Sequence, residues 1–505
     1  MGRVTAPSPV TPAPPADLPG TLGELRSAGH AYRTVKQELR DNLLARMRSG
    51  ADRFPGIVGY DDTVLPEVER ALLAGHDMVL LGERGQGKTR LIRSLVGLLD
   101  EWTPVIAGSV LNEHPMHPLT PGSRALVAEA GDALPVAWLH RSMRYGEKLA
   151  TPDTSVGDLI GDVDPIRIAQ GRTLGDPETI HFGLVPRTNR GIFAVNELPD
   201  LAERIQVALL NVLEERDIQV RGYQLRLPLD LFLVASANPE DYTNRGRIIT
   251  PLKDRFGAEV RTHYPLDLDL ELALLRQEAD LVAEVPEHVL EVLARFARAV
   301  RESPSVDPRS GVSARFAIAA AETVAAAALR RAGLLAAAVP PAAEVLGRAP
   351  SSSEGVNKVP FLSSEAAVAR VGDAVSVTST LRGKVEFESG EEGREVEILG
   401  HLLRTATAET FRARLAGLDL SGFTALVDED AVIETGELVG SAELLRQVGT
   451  VPGLAKALDR LGLGDAPSPE QAAAGVEFVL EGLHLTRRLG KDVTDSGRTR
   501  YGGRA

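Results

Sequence analysis

Hydrophobic and polar positions divide the chain into two regimes. Between Tyr32 and Met47 the apolar residues Val35, Leu39, Leu43 and Met47 fall four apart, which predicts an amphipathic helix. Phe54 to Tyr60 reads as a loop, and Val64 to Ala74 as a second helix. The uninterrupted apolar run Met78 to Leu81 is a buried-strand pattern, and apolar residues at helical spacing resume in Arg90 to Leu99. Gly191 to Val195 is another short buried strand. It is followed by a helix over Leu201 to Arg216 that carries Ile205, Ala208, Leu209 and Val212 on one face. Alternation on both sides of Arg221-Gly222-Tyr223 predicts a hairpin over Asp217 to Leu227, and Leu229 to Ala235 is a further strand. After Pro265 the pattern becomes helical, over Leu266 to Val282, Pro286 to Arg301 and Ser313 to Arg331. Strand and helix alternating first, then helices alone, predict an α/β domain followed by an α domain.

The expected organisation is a proline-rich disordered leader over 1–20, a helical segment over 21–53 and an α/β core over 54–264. The glycine-punctuated stretch 151–190 reads as a loop-rich insert in that core, with the hairpin at 217–228. A helical lid over 265–332 leads to an Ala-, Pro- and Ser-rich linker over 333–360. A mostly helical C-terminal domain follows over 361–490. In it Ser468-Pro-Glu-Gln471 is a capping box that opens a helix through about Leu489. The glycine-rich, mildly basic tail 491–505 is expected to be disordered.

Composition narrows the function. The 505 residues include no cysteine, which excludes disulfides, thiolate metal sites and a cysteine nucleophile and suits a cytoplasmic location. A net charge of −14 disfavours diffuse attraction to nucleic-acid backbones. The opening residues lack a signal-peptide pattern. The alanine-rich stretch Ala314 to Ala338 comes nearest to a membrane span, but Arg315, Glu322, Arg330, Arg331 and Gly333 interrupt it.

The chemistry centres on Gly82-Glu83-Arg84-Gly85-Gln86-Gly87-Lys88-Thr89. A GxxxxGK[ST] turn between a strand and a helix is a phosphate-binding loop. Its glycines let the backbone wrap a phosphate chain, and the following helix aims free N–H groups at the anion. Lys88 is placed to neutralise the outer phosphates and the Thr89 hydroxyl to ligate Mg2+. Cleaving a triphosphate further requires a carboxylate to orient water, a polar sensor and added positive charge. Glu197, just beyond the strand Gly191 to Val195, is the candidate for polarising water, and Asn238 after the next strand is the candidate sensor. Arg255, on the rim of the α/β domain, and Arg315, at the start of a lid helix, are the candidate cations.

In this order, Gly82–Thr89, Thr151 to Gly161, Gly191–Glu197, Ala235-Ser-Ala-Asn-Pro239 and Asp254-Arg-Phe-Gly257 resemble AAA+ ATPases of the helix-2-insert group. The chain is most similar to the motor subunit of magnesium chelatase and its MoxR-type relatives, over about Phe54 to Arg331. The resemblance implies a P-loop NTPase fold with a parallel sheet and helical lid, ATP and Mg2+ as cofactors, and hydrolysis in a homo-hexameric ring. It implies a Walker A loop at Gly82 to Thr89, a Walker B end at Asn196 and Glu197, sensor 1 at Asn238, an arginine finger at Arg255 and sensor 2 at Arg315. Ile57, Val58, Gly59 and Tyr60 would lie against the adenine. Asp217 to Leu227 would be the pre-sensor hairpin and Thr151 to Arg190 the helix-2 insert. A partner with a von Willebrand A domain is implied in trans, since no Asp-x-Ser-x-Ser motif occurs here.

Two departures from the family stand out. The Walker B aspartate is replaced by Asn196, from which weaker Mg2+ binding and slow turnover are expected. The resemblance also ends before the C-terminal domain. His114-Pro-Met-His117 lacks the ligand count of a metal site, and Asp428-Glu-Asp430 reads as a solvated turn. Three functions compete: a motor that remodels a partner protein, a nucleotide-gated assembly module with little turnover, and a DNA-associated machine, which the acidic charge disfavours.

Overall fold

The structure is a computed structural model. It describes residues 12–163, 180–214, 217–220, 223–238, 247–307, 311–338, 367–428, 432–494 and 498–502. The chain forms two compact units, Met1–His263 and Tyr264–Ala505.

The first unit is built on a five-stranded parallel sheet. Its strands are β1 (Met78–Leu81), β2 (Tyr145–Leu149), β3 (Gly191–Asn196), β4 (Leu231–Ala237) and β5 (Ala258–Arg261), in the order β5-β1-β4-β3-β2. Side chains on a strand alternate between faces, so a sheet covered on both sides needs apolar residues at consecutive positions. Met78, Leu80, Ile192, Ala194, Phe232 and Val234 pack on one face with Leu39, Leu43, Val68, Leu72, Leu91 and Ile92 from the helices Val35–Ser49, Val64–Ala74 and Lys88–Ser94. Val79, Leu81, Phe193, Val195, Leu233 and Ala235 pack on the other with Ile205, Leu209 and Val212 of the helix Glu203–Glu214 and with Leu252 and Phe256. Full burial of each such Leu, Ile, Val or Phe contributes roughly 1.5–3 kcal/mol.

The helix and strand patterns of this unit reappear with their ends shifted by a few residues, and the hairpin lies at Asp217–Val220 and Tyr223–Arg226. Sequence periodicity missed β2, β5 and the antiparallel ribbon of Trp102–Ile106 with Val136–His140. The two sheet strands are short edge strands with charged residues, so neither shows an apolar run. The expected disordered leader needs correcting at its end. The Trp138 indole donates to the Pro19 carbonyl at 2.8 Å and Val136 N–H to the Gly20 carbonyl at 2.9 Å. In the expected insert, Gly161–Val163 pairs with Ile180–Phe182, and residues 164–179 lie outside the described residues.

A buried ion pair locks the leading helix to this sheet. Arg144 immediately precedes β2, is fully buried, and donates to both carboxylate oxygens of Glu38 at 2.7 and 2.6 Å. Its Nε donates to the Arg190 carbonyl at 2.7 Å, and the same Glu38 carboxylate accepts from Asp100 N–H. All three Arg144 nitrogens and both Glu38 carboxylate oxygens therefore have partners, as burial requires.

The second unit is largely helical. Glu287–Glu302, Ala314–Ala338, Glu395–Leu415 and Pro469–Leu485 contribute to a single apolar cluster that includes Val289, Phe296, Val324, Leu399, Phe411, Phe478 and Leu483. Residues assigned by sequence to a lid and to a C-terminal domain thus share one core. Two expectations are corrected here. The helix Ala314–Ala338 runs past position 333, because Gly333 is only one weak helix former in an alanine-rich stretch; residues 339–366 of the expected linker lie outside the described residues. The tail is also not disordered where it is described. Gly490–Val493 and Thr499–Gly502 form an antiparallel sheet with Ile433–Thr435, and Glu434 accepts hydrogen bonds from Arg498 and Arg500, each at 2.8 Å. Asp428 closes the helix Ser421–Asp428, while Glu429 and Asp430 lie outside the described residues.

Candidate nucleotide site

The phosphate loop follows β1 at the carboxyl edge of the sheet, where open α/β sheets bind ligands. Gly85 and Gly87 both have φ of 76°, a left-handed conformation that costs glycine nothing. Gly82 is needed for a different reason. A Cβ there would lie 2.0 Å from the Thr262 hydroxyl and 2.2 Å from the Gln86 amide oxygen. Gly87 caps the helix Lys88–Ser94, so the loop runs directly into a helix N-terminus.

Lys88 is 8% exposed. Its ammonium donates to the carbonyls of Gly82 and Glu83, the latter at 2.7 Å, and to the Asn238 side-chain oxygen at 2.9 Å. The loop cation and the candidate sensor are therefore brought into contact from different strand ends. Thr89 is half-buried in the first helical turn, while Glu83 and Arg84 are exposed.

On β3, Asn196 is buried. Its amide oxygen accepts from the Ser236 hydroxyl of β4 at 3.2 Å, and its amide nitrogen donates to Glu147 of β2 at 2.6 Å. Glu197 follows at φ 55°, left-handed for a non-glycine residue, with its N–H donating to Ser236 Oγ at 3.3 Å. Such backbone conformations cost about 1–3 kcal/mol and gather at functional sites.

Glu147 carries no motif and was missed by sequence reasoning; its strand shows only alternating charge. Its carboxylate also accepts from Arg93 Nε and NH2 at 2.9 and 3.0 Å and from the Tyr145 hydroxyl at 2.9 Å. Partial burial alone would raise its pKa, but the hydrogen bonds from Arg93 and Tyr145 outweigh it and hold the carboxyl below the usual range. Glu147 is therefore an anion.

The loop Ile57 to Tyr60 lies beside the phosphate loop. The Tyr60 hydroxyl, with one proton to donate, lies within hydrogen-bond reach of both the Gln86 carbonyl and the His263 carbonyl, the latter at 2.9 Å, and Arg90 Nε donates to the Gly56 carbonyl at 3.1 Å. Burial pushes the Tyr60 hydroxyl up to about 12 and outweighs the hydrogen bonds to Thr262 and His263, which lower it, so it stays protonated. Ile57, Val58 and Gly59 are half-buried. Arg255 ends the helix Thr250–Arg255 and is exposed. Arg315 is exposed in the second unit, in the first turn of Ala314–Ala338.

The residues present suit Mg2+. Thr89 and Asn196 offer hard oxygen donors, the kind Mg2+ prefers alongside nucleotide phosphates. Among the described residues no group of three or more His, Cys, Asp or Glu could hold a metal alone. The two imidazoles of the proline-rich loop serve packing instead: His114 stacks on His30 with ring centroids 5.4 Å apart, and His117 stacks on Tyr32 at 4.7 Å. Among the described residues no helix is long and apolar enough to cross a membrane.

This strand order, with a glycine-rich loop after β1 and polar ends on β3 and β4, is that of the AAA+ P-loop fold. Over about half its length the chain is distantly related to magnesium chelatase I subunits. It is 29% identical over 232 residues to magnesium-chelatase subunit ChlI-1 of Arabidopsis thaliana, covering 45% of this chain and 51% of that protein. It is 27% identical over 239 residues to subunit ChlI of Nostoc sp., covering 46% and 60%. The chain thus spans about half the length of the curated relatives it matches. No family model matches. Among solved structures, one describing the complex between subunits BchI and BchD of magnesium chelatase aligns at TM-score 0.34 and 24% identity, covering 56% of this chain and 88% of that one. A RuvB mutant of Thermotoga maritima aligns at 0.32 and 13%, covering 54% and 64%.

Proposed function

We propose that this protein binds and hydrolyses ATP with Mg2+ in a homo-oligomeric ring, a hexamer by family resemblance, and uses the cycle to remodel or activate a partner protein. The observation that carries the reading is the meeting of Lys88 with Asn238 at the mouth of the glycine loop, with Asn196 and Glu197 on the adjacent strand end.

In this proposal the Lys88 ammonium exchanges its carbonyl partners for phosphate oxygens, and the loop N–H groups and helix N-terminus hold the rest of the anion. Thr89 and Asn196 would hold Mg2+, which supplies charge neutralisation on the phosphates. Glu197 accepts the proton of the attacking water, and Asn238 fixes the water or terminal phosphate from the other side. Ile57 to Tyr60 form the base-facing wall. Arg255, exposed on the first unit, acts on the site of a neighbouring copy, and Arg315 acts as the second sensor. The partner is a chain with a von Willebrand A domain, a reading motivated by the family resemblance. The protein acts in the cytoplasm.

A second reading, a nucleotide-gated assembly module with little turnover, is motivated by Asn196 in place of a carboxylate. Sedimentation of the purified chain with and without ATP and Mg2+, combined with phosphate release, tests both. Nucleotide-dependent rings that release phosphate support the motor. Rings without phosphate release select the gated module. A protomer that retains no adenine nucleotide overturns both.

A further inference from the structure

The carboxylate expected at position 196 is missing, yet a carboxylate lies one hydrogen bond away. Asn196 Nδ2 donates to Glu147 Oε1 at 2.6 Å, across the parallel pairing of β2 with β3. We propose that Glu147 carries the negative charge that Asn196 lacks, so that the two residues act as one unit in which Glu147 orients the amide and supplies the field for Mg2+. This deepens the nucleotide-site reading above and rests on it.

Three observations support the assignment. The first is the orientation of the amide. Its nitrogen is committed to Glu147 and its oxygen accepts from Ser236. An Asn side chain can present either a donor or an acceptor, and only the oxygen suits a cation. Glu147 thus selects the face that can meet Mg2+ or its bound water.

The second is the anchoring of Glu147. Arg93 holds both carboxylate oxygens and Tyr145 holds one. Arg93 belongs to the helix Lys88–Ser94, four residues after Thr89. The other proposed metal-facing residue and the Asn196–Glu147 unit are therefore tied to the same short helix. Glu147 is a positioning residue here, acting through Asn196.

The third is electrostatic. A carboxylate at 196 facing Glu147 would put two like charges in contact and remove the donor between them, a destabilising arrangement. The amide and the neighbouring acid are mutually consistent, and neither is explained alone. Replacing Asn196 by aspartate is therefore not a simple return to the family pattern; it needs Glu147 neutralised as well.

The test uses the full chain and a fluorescent ATP analogue, titrated in EDTA and then against Mg2+, with thermal unfolding recorded in EDTA. Glu147→Gln keeps the shape and an acceptor but removes the charge. We expect it to leave binding in EDTA unchanged and to raise the Mg2+ midpoint about ten-fold, the lower end of the usual loss when an outer partner of a metal ligand is removed. Asn196→Asp alone lowers the unfolding temperature in EDTA. The swap Asn196→Asp with Glu147→Gln recovers both the unfolding temperature and the wild-type Mg2+ midpoint. A merely structural Glu147 would weaken binding equally with and without Mg2+, and that result overturns the proposal. So does an Mg2+ midpoint indifferent to Glu147→Gln, or a swap no better than Glu147→Gln. If the wild type itself bound no nucleotide, the site reading would fall, and this proposal with it; retained wild-type binding separates the two failures.

Discussion

Lys88 Nζ and Asn238 Oδ1 stand 2.9 Å apart although 150 residues separate them in the chain. The contact joins the phosphate loop after β1 to the end of β4, and it exists because those strands are parallel neighbours. Lys88→Ala removes a cation buried in the loop mouth. Hydrogen bonds to charged groups contribute about 1.5–3 kcal/mol, so nucleotide affinity is expected to fall on the order of 10–100-fold. Calorimetric titration of ATP into wild type and variant reads this directly.

Glu197 follows β3 and is not part of the glycine loop proposed to hold the phosphates. Glu197→Gln is expected to bind ATP as wild type does while phosphate release drops on the order of 10²–10⁴-fold, the usual contribution of a positioned general base. Equal losses of binding and turnover would assign Glu197 to holding nucleotide instead.

Arg255 is exposed at a helix end, a placement suited to a site on another copy. Arg255→Ala and Lys88→Ala are each expected to be inactive alone. Mixed together they should regain part of the ATPase activity, because an intact loop from one variant can meet an intact Arg255 from the other. No recovery in co-assembled rings counts against action in trans.

Glu38 and Arg144 form a bidentate pair with essentially no solvent exposure, 4% and 0% at the side chains. Breaking one partner of a buried pair leaves the other charge unmatched, at a cost of about 3–5 kcal/mol. Glu38→Gln should therefore lower the denaturant midpoint of the first unit. Simultaneous replacement of both residues by apolar ones should lower it much less.

His288 is fully buried against Phe478, with ring centroids 4.9 Å apart, and burial lowers its pKa to about 3. The unfolded value is near 6.5, so below that pH the unfolded chain takes up a proton that the folded unit refuses. Stability from this group is complete above about 6.5 and is lost as pH falls toward 3, at up to roughly 1.4 kcal/mol per pH unit. Thermal unfolding at pH 7 and pH 5 should show a smaller drop for His288→Phe than for wild type. An identical drop would mean that His288 does not titrate this way.

The loop Gly82–Thr89, its flanking strand and helix, and the polar residues after β3 and β4 were legible in the chain because each is a local signal. An apolar run, a glycine turn and a strand-end polar residue are each specified within a few positions. Arg93, Tyr145, Glu147 and Ser236 were not legible. The contacts of Arg93, Glu147 and Ser236 span 54, 49 and 40 residues, and Tyr145, two residues from Glu147, lies on a charged edge strand with no hydrophobic period to announce it. The same holds for the tail, whose strands become visible only when paired with Ile433–Thr435.

The sequence by itself determined that a glycine-rich turn ending in Lys88-Thr89 follows one buried strand, and that two further strands carry polar residues just beyond their apolar runs. Backbone propensity and side-chain period act over short stretches, so these features survive without knowledge of the fold. Only the tertiary structure decided that Lys88 meets Asn238 and that Asn196 leans on Glu147. Those contacts depend on the order in which parallel strands lie side by side, which the long crossover connections set and no local pattern encodes.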